Sequence, residues 1–290
     1  MKFLVLGCNG MAGHMISLYL KEQGYEVDGF ARKESPFIHT ILGDARNQDN
    51  IRDLIKTGHY NTIINCIGLL NKICDERKSD AVYLNAFLPH YLDELTKGTE
   101  TQVIQMSTDC VFYGNRGEYC EYDLRDGSTF YDRTKALGEL EDNKNLTIRS
   151  SIVGPDLNPE GIGLLNWFMK QNDEVGGYTQ VLWTGQTTLQ YAKTIEAVAK
   201  ERVRGIIHLV PDRSISKYDL LCFFNQYFRK GKINIIPLDS PILNKSLKRT
   251  RFDFEYRVPD YEQMIMELDV WMRVHKDIYP HYQKEMEGIL

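Results

Sequence analysis

A chain of 290 residues, 42% apolar and 26% charged, has a globular composition and enough length for one large core with a smaller lobe attached. Its net charge of −5 argues against a dedicated nucleic-acid binder, which needs a dense basic face. No apolar stretch approaches the roughly 20 residues that span a bilayer, and Met1-Lys2 leads straight into a strand-like run, so a cytoplasmic protein without a membrane partner is expected.

Residues 2–6 read as a buried strand and 11–23 as a helix with apolar Met11, Met15, Ile16, Leu18, Tyr19 and Leu20. Strands follow at 26–30 and 38–42, a helix at 50–57, a strand at 62–67, a long helix at 79–96, a strand at 101–106, a helix at 130–142 and a strand at 146–149. Continuously apolar strands separated by helices predict an α/β fold, a Rossmann-type doubly wound parallel sheet covered on both faces. From Gly154 the rhythm changes, with Pro155, Pro159 and several glycines. Helices are then expected at 163–170, 189–202, 217–228 and 260–276, and short strands at 205–210 and 232–236. The expected organisation is a dinucleotide-binding domain over 1–153, to which later strands return, interleaved with a smaller, mostly helical substrate lobe over 154–290. Cys8, Cys66, Cys74, Cys110, Cys120 and Cys222 form no Cys-x-x-Cys pair and no zinc-spaced cluster, so reduced thiols and no metal site are expected.

Gly7-Cys8-Asn9-Gly10-Met11-Ala12-Gly13 follows the first strand and opens the first helix. Gly7 permits the tight turn, Gly10 a close approach to a pyrophosphate, and Gly13 close packing of helix on strand. The helix N-terminus offers free N–H groups to the phosphates. The second strand ends in Ala31-Arg32-Lys33 rather than in a carboxylate. Two cations suit a 2′-phosphate, so NADP is expected, NADPH before NADH, with Asp28 lying too early on the strand to grip the ribose. Asp44-Ala45 after the third strand is a candidate for the adenine amino group, or a turn residue before a helix.

Tyr131 and Lys135 lie four residues apart and share a helix face. Reduction of a carbonyl needs a proton donor, and an ammonium nearby is expected to lower the tyrosine pKa from its usual value of about 10. Thr108 or Ser107, at the end of the fifth strand, can fix the carbonyl oxygen. This is general acid catalysis with the hydride carried by a cofactor.

These motifs resemble the extended short-chain dehydrogenase/reductases, and within them the dTDP-4-dehydrorhamnose reductase group. The resemblance rests on Gly7-x-x-Gly10-x-x-Gly13, Ser107-Thr108-Asp109-Cys110-Val111-Phe112 and Tyr131-x-x-x-Lys135-x-x-Gly138-Glu139, with Leu84-Asn85-Ala86, Arg149-Ser150-Ser151 and Thr250-Arg251-Phe252-Asp253 in support. It implies a catalytic trio of Thr108, Tyr131 and Lys135 and a nucleoside-diphosphate 4-keto-6-deoxy sugar reduced at C4. It also places Cys66-Ile67-Gly68 and Ser107 beside the cofactor and turns basic residues near Lys248–Arg251, Arg251 among them, towards the substrate diphosphate. A homodimer is a candidate assembly.

Several positions depart from the pattern. Prolines common before the tyrosine are replaced by Asp126-Gly127-Ser128-Thr129, and Leu69-Leu70 replaces small residues, making Leu69 a candidate sugar contact. In the GDP-fucose synthase branch, a cysteine at the Cys110 spacing is an epimerisation acid, paired with a later histidine. Residues 160–164 contain no histidine, so Cys110 is expected to line the pocket of a reductase without epimerase activity. A sugar-nucleotide epimerase, or a silent regulatory subunit like that of methionine adenosyltransferase, are the alternatives. Asp109 orients the strand-end loop or contacts a sugar hydroxyl, and Trp183 lines the sugar pocket or packs in the core. Trp167, Phe168 and Met169 read as helix core, and His14 as a helix-surface residue.

Overall fold

The computed structural model describes residues 1–287, so the last three residues of the expected C-terminal lobe, 288–290, lie outside the described residues. Seven strands make the central sheet: β1 (Lys2–Leu6), β2 (Glu26–Ala31), β3 (His39–Leu42), β4 (Thr62–Asn65), β5 (Gln102–Ser107), β6 (Leu146–Arg149) and β7 (Gly205–His208). Their order is β7-β6-β5-β4-β1-β2-β3, and every neighbouring pair is parallel. The direction of winding reverses at β1, which lies between β4 and β2. Ligand crevices of open α/β sheets lie beyond the strand C-termini at such a reversal.

The alternation of strand side chains explains the layers. Phe3 and Val5 pack into a core shared with Met15 and Ile16 of the first helix (Met11–Glu22) and with Ile195 and Val198 of the helix Thr188–Lys200. Leu4 and Leu6 face the other way, into a core with Ile51, Leu54, Leu88 and Leu92. Residues of β1 from Phe3 to Leu6 are 0% exposed, as expected for a strand covered on both faces.

Three boundaries differ from the sequence pattern for identifiable reasons. The strand expected over 62–67 stops at Asn65, whose Oδ1 accepts the Ile67 N–H at 3.2 Å and bends the chain away. The helix expected over 130–142 is Phe130–Leu137. It ends at Gly138, where a Cβ would lie 1.9 Å from the Asn85 carbonyl oxygen. The long helix expected over 79–96 begins as Lys78–Ala81, loosens into a π-helical stretch Val82–Phe87, and resumes as Leu88–Leu95.

The second lobe contains more strand than its sequence suggests. Gly185–Thr187 pairs with Ser151–Val153, while Val181–Trp183 pairs with Ile215–Ser216 and Leu243–Asn244. The expected strand at 232–236 is Asn234–Leu238, and it pairs with Glu174–Tyr178 outside the central sheet. Segments of two to five residues carry too little periodicity to be read from sequence. The helices Lys217–Phe228 and Tyr261–Val274 follow in this half of the chain, and Phe168 and Met169 lie in the same core as Phe3, Val5 and Met15 while Trp167 is exposed. His14, expected on the surface, is fully buried. Its Nδ1 lies 2.9 Å from the Gly10 carbonyl and its Nε2 2.9 Å from the Tyr279 hydroxyl, and burial lowers its pKa to about 4, keeping it neutral. Among the described residues no helix is long and apolar enough to cross a membrane.

Candidate active site

A cleft of ≈630 Å³ opens beyond the C-terminal ends of β1, β2 and β4. Gly7, Asn9, Gly10, Arg32, Lys33, Asp44, Ala45, Cys66, Ile67, Gly68 and Leu69 line it. Gly7 turns the chain at φ +78°, a left-handed conformation that favours glycine. A Cβ on Gly13 would lie 2.1 Å from the Gly7 carbonyl oxygen, so only glycine lets the first helix start this close to β1. Gly10, Met11, Ala12 and Gly13 form the opening turn, and no side chain caps it, which leaves its N–H groups for an anion. Asn9 donates to the Lys33 carbonyl at 2.8 Å, while its buried Oδ1 has no hydrogen-bond partner among the described residues. The cradle, its open N–H groups and the unpartnered Asn9 oxygen fit a dinucleotide.

Arg32 and Lys33 are exposed at the cleft's edge, and Asp28 is tied to Lys2, His39 and Tyr60 instead of pointing to a ribose. Asp44 is gripped by the Arg46 guanidinium, with Nη2 at 2.6 Å, which holds its pKa down at about 2. Arg46 also lines the cleft, a residue the sequence reading passed over although the Asp44-x-Arg46 spacing was visible.

The helix Phe130–Leu137 lies behind two residues of the cleft wall, Tyr131 packing on Leu69 and Lys135 lying near Gly68. Thr129 and Asp132 form a reciprocal capping box at its start, which fixes the orientation of Tyr131. Tyr131 and Lys135 are 8% and 7% exposed. Tyr131 packs with Cys74, Ala81, Leu69 and Cys110. The Lys135 ammonium donates to the Met106 carbonyl at 2.7 Å and sits close to Gly68. Thr108 hydroxyl donates to Asp109 Oδ1 at 3.0 Å and accepts the Cys110 N–H at 3.1 Å. Ser151 donates to the same Asp109 oxygen at 2.6 Å, so Asp109 orients the strand-end loop.

The electrostatics differ from the sequence expectation of a lowered tyrosine pKa. Burial, reinforced by Cys110, pushes the Tyr131 phenol well above its ordinary value, and an interaction with the Thr108 hydroxyl only partly opposes this. The Lys135 pKa is itself pushed down to about 8 by burial, with Glu139 acting in the other direction. Tyr131 therefore rests in its neutral, proton-bearing form, as a proton donor must. Burial likewise raises the Cys110 thiol to about 12.

Ser107 donates its hydroxyl proton to Glu139 Oε1 at 2.6 Å and Thr108 donates its own to Asp109 Oδ1, and it is the Thr108 hydroxyl that also interacts with Tyr131. Glu139 is in turn bound by Arg149 and Arg125. Asn85, on the π-helical stretch, accepts the Leu69 N–H at 2.8 Å and donates to the Leu69 carbonyl at 3.0 Å and to Thr134 Oγ1 at 3.1 Å. One buried amide thus connects the turn after β4 to the helix carrying Tyr131 and Lys135.

On the lobe side, Trp183 is 5% exposed, packed against Tyr261 and covered by the Lys217 ammonium 4.8 Å from its ring centroid. It is a platform within the core rather than an open wall. Arg251, expected at the substrate, lies at the edge of the sheet. Its guanidinium donates to the carbonyls of Arg204 and Ile206 and pairs with Asp253, because the chain after Thr250 runs beside the start of β7. Arg249 is spent on the carbonyls of Arg251, Phe254 and Tyr256, and Lys248 is exposed beside Glu118. A larger cavity of ≈910 Å³ lies between residues 210–214 and 246–258, and neither it nor the ≈630 Å³ cleft is lined by Thr108, Tyr131 or Lys135. Among the described residues no cluster could hold a metal ion.

The family model described as RmlD substrate binding domain matches residues 1–253. The spore coat polysaccharide biosynthesis protein SpsK of Bacillus subtilis is 30% identical over 160 residues, 52% of this chain and 53% of that protein. The probable low-salt glycan biosynthesis reductase Agl14 of Haloferax volcanii is 30% identical over 139 residues, 47% of this chain and 46% of that protein. The chain thus spans about half the length of these curated relatives. In fold it is similar to the dTDP-4-dehydrorhamnose reductase of Bacillus anthracis solved with NADP, with a TM-score of 0.80 and 18% identity, covering 93% of this chain and 100% of that one.

Proposed function

Because the chain belongs to the RmlD substrate binding domain family, we propose that it reduces the 4-keto group of a nucleoside-diphosphate 4-keto-6-deoxy sugar, with NADPH preferred over NADH. The observation that carries this reading is that Tyr131, beside the Thr108 hydroxyl, packs on Leu69 while the Lys135 ammonium lies close to Gly68, both of which line the glycine-turned cleft. A bound reduced nicotinamide supplies the hydride. Tyr131 keeps its proton at Oη and is placed to give it to the oxygen that becomes the alcohol. Thr108 holds that oxygen through its hydroxyl. Lys135 keeps one N–H on Met106 and offers the others to the nicotinamide ribose. At the far end, Arg32 and Lys33 take the 2′-phosphate while Asp44 and Ala45 face the adenine. The names of the two relatives, in polysaccharide and glycan biosynthesis, support a sugar substrate.

Cys110 is a pocket-lining residue in this reading, since residues 160–164 supply no histidine partner. The test is a panel of dTDP-, UDP- and GDP-4-keto-6-deoxy sugars with NADPH, followed by loss of nicotinamide absorbance. Turnover that disappears in Tyr131→Phe while NADPH still binds is the expected result. No turnover with any of the sugars removes the reductase assignment.

A further inference from the structure

The basic run at 248–251 has no free cation at the catalytic cleft: Arg249 and Arg251 are saturated by backbone carbonyls and Asp253, and Lys248 faces solvent beside Glu118. The charges of two other lysines, far apart in sequence, act on the Asp109–Cys110 segment. Lys217 opens the helix Lys217–Phe228, directly after the two-residue strand Ile215–Ser216 that pairs with Leu182 and Trp183. This pairing sets the Lys217 stem across the Trp183 ring, and its ammonium comes within electrostatic reach of Asp109 and Cys110. Lys245 follows the strand Leu243–Asn244 on the other side of Val181–Trp183. Its stem crosses Gly114, where a Cβ would lie 2.6 Å from Lys245 Cγ, and its ammonium approaches Cys110 and stands 4.0 Å from Asp132 Oδ2.

Neither ammonium is neutralised at close range. Lys245 meets Asp132 only at the limit of an ion pair, and Asp132 is already engaged in the capping box of the catalytic helix. Among the described residues Lys217 has no hydrogen bond and no carboxylate within 4.0 Å, its one direct partner being the Trp183 ring. The Asp109 carboxylate is held by Thr108 and Ser151. Burial costs Lys217 enough to bring its pKa to about 8, so its charge is retained at an energetic expense that an arriving anion would relieve.

We propose that Lys217 and Lys245 together receive the diphosphate of the substrate, gripping it from two strands of the second lobe that flank Val181–Trp183. This assignment rests on the reading of the substrate as a nucleoside-diphosphate sugar. Two separated ammonium groups suit a diphosphate because each phosphate carries its own charge, and a lysine binds phosphate as a point charge without demanding the planar geometry of a guanidinium. Placement beside Cys110, which packs on Tyr131, sets the anion next to the reacting sugar and makes these residues selectors of substrate rather than catalytic residues.

The experiment is calorimetric titration of the full chain, saturated with NADP, with dTDP, UDP and GDP and with the matching nucleosides. Lys217→Met and Lys245→Met are each expected to weaken the preferred diphosphate at least about tenfold, the loss of one charge-assisted hydrogen bond, with the nucleoside and NADP affinities changing less than about twofold. Lys217→Arg, which keeps the charge, is expected to restore most of the affinity, and Lys248→Ala to leave it unchanged. Unchanged diphosphate affinity in Lys217→Met overturns the assignment and leaves the reductase reading in place. A wild-type chain that binds none of the three diphosphates overturns both. Lysine-dependent diphosphate binding in a chain that reduces no 4-keto sugar upholds the site and removes only the reductase reading.

Discussion

Glu139 and Arg149 form a two-point ion pair, Nε to Oε1 at 2.8 Å and Nη2 to Oε2 at 2.7 Å, with side chains 0% and 1% exposed. The pair joins the segment after the catalytic helix to the end of β6, and Ser107 at the end of β5 donates into it. It therefore fixes the strand ends from which Thr108 and Ser151 project. Glu139→Gln leaves a buried guanidinium without its counter-charge and is expected to destabilise the fold by about 3–5 kcal/mol in urea titration at pH 7. Burial alone would raise the Glu139 pKa, but Arg149, Ser107 and Arg125 outweigh it and hold the value below the ordinary 4.5. A depressed carboxylate stabilises above its unfolded pKa and loses that contribution as pH falls through its folded value. Wild type should thus lose its advantage over Glu139→Gln below about pH 4.5, and a constant difference down to pH 3 would contradict this account.

Lys135 carries the opposite sign. Burial lowers its pKa from 10.5 to about 8, so the unfolded chain binds more protons between those values and stability rises with pH across that window. Below pH 8 the buried charge is a cost. Lys135→Met is expected to be more stable than wild type at pH 7 by roughly 1–2 kcal/mol, after the loss of the Met106 hydrogen bond is counted. The gain should shrink as pH approaches 10.5 in thermal melts, and turnover should vanish at every pH.

Asn85 tests whether the π-helical stretch serves the site. Asn85→Ala leaves the partly buried Leu69 N–H unpaired and its carbonyl with only the Cys74 thiol, at a cost of about 1–3 kcal/mol. It also frees the turn after β4 from Thr134, between Tyr131 and Lys135. Misplacement of reacting groups predicts a fall in kcat on the order of tenfold to a hundredfold, larger than any change in NADPH KM. A loss confined to stability, with kcat intact, would make Asn85 a purely structural amide.

Arg32 tests the cofactor preference. It is exposed at the end of β2 and its charge is felt at Asp44. Arg32→Ala is expected to weaken NADPH on the order of tenfold, through loss of a charge-assisted contact to the 2′-phosphate, with NADH affinity nearly unchanged. Equal losses for both dinucleotides in fluorescence titration would count against the assignment.

Features carried by neighbours in sequence were legible before any coordinates. The glycine spacing from Gly7 to Gly13 reports a local turn, and the placing of Tyr131 and Lys135 on one face needs only the pitch of a helix. The Thr129-x-x-Asp132 capping box was equally local and went unread. Residues whose role depends on distant partners were misjudged. His14 reads as a surface residue until Tyr279, 265 positions away, covers it. Arg251 reads as a diphosphate ligand until the carbonyls of Arg204 and Ile206 claim it.

The sequence by itself determined the parallel sheet, the glycine-floored turn and the pairing of Tyr131 with Lys135, because apolar runs, glycine φ freedom and helical periodicity act over a few residues. Only the tertiary structure decided the charge states and the second wall of the cleft. Burial sets Tyr131 as a neutral donor and Lys135 near 8, and burial is a property of the packed molecule. Strands of two and three residues, too short to leave a pattern, set Lys217 and Lys245 on either side of Val181–Trp183.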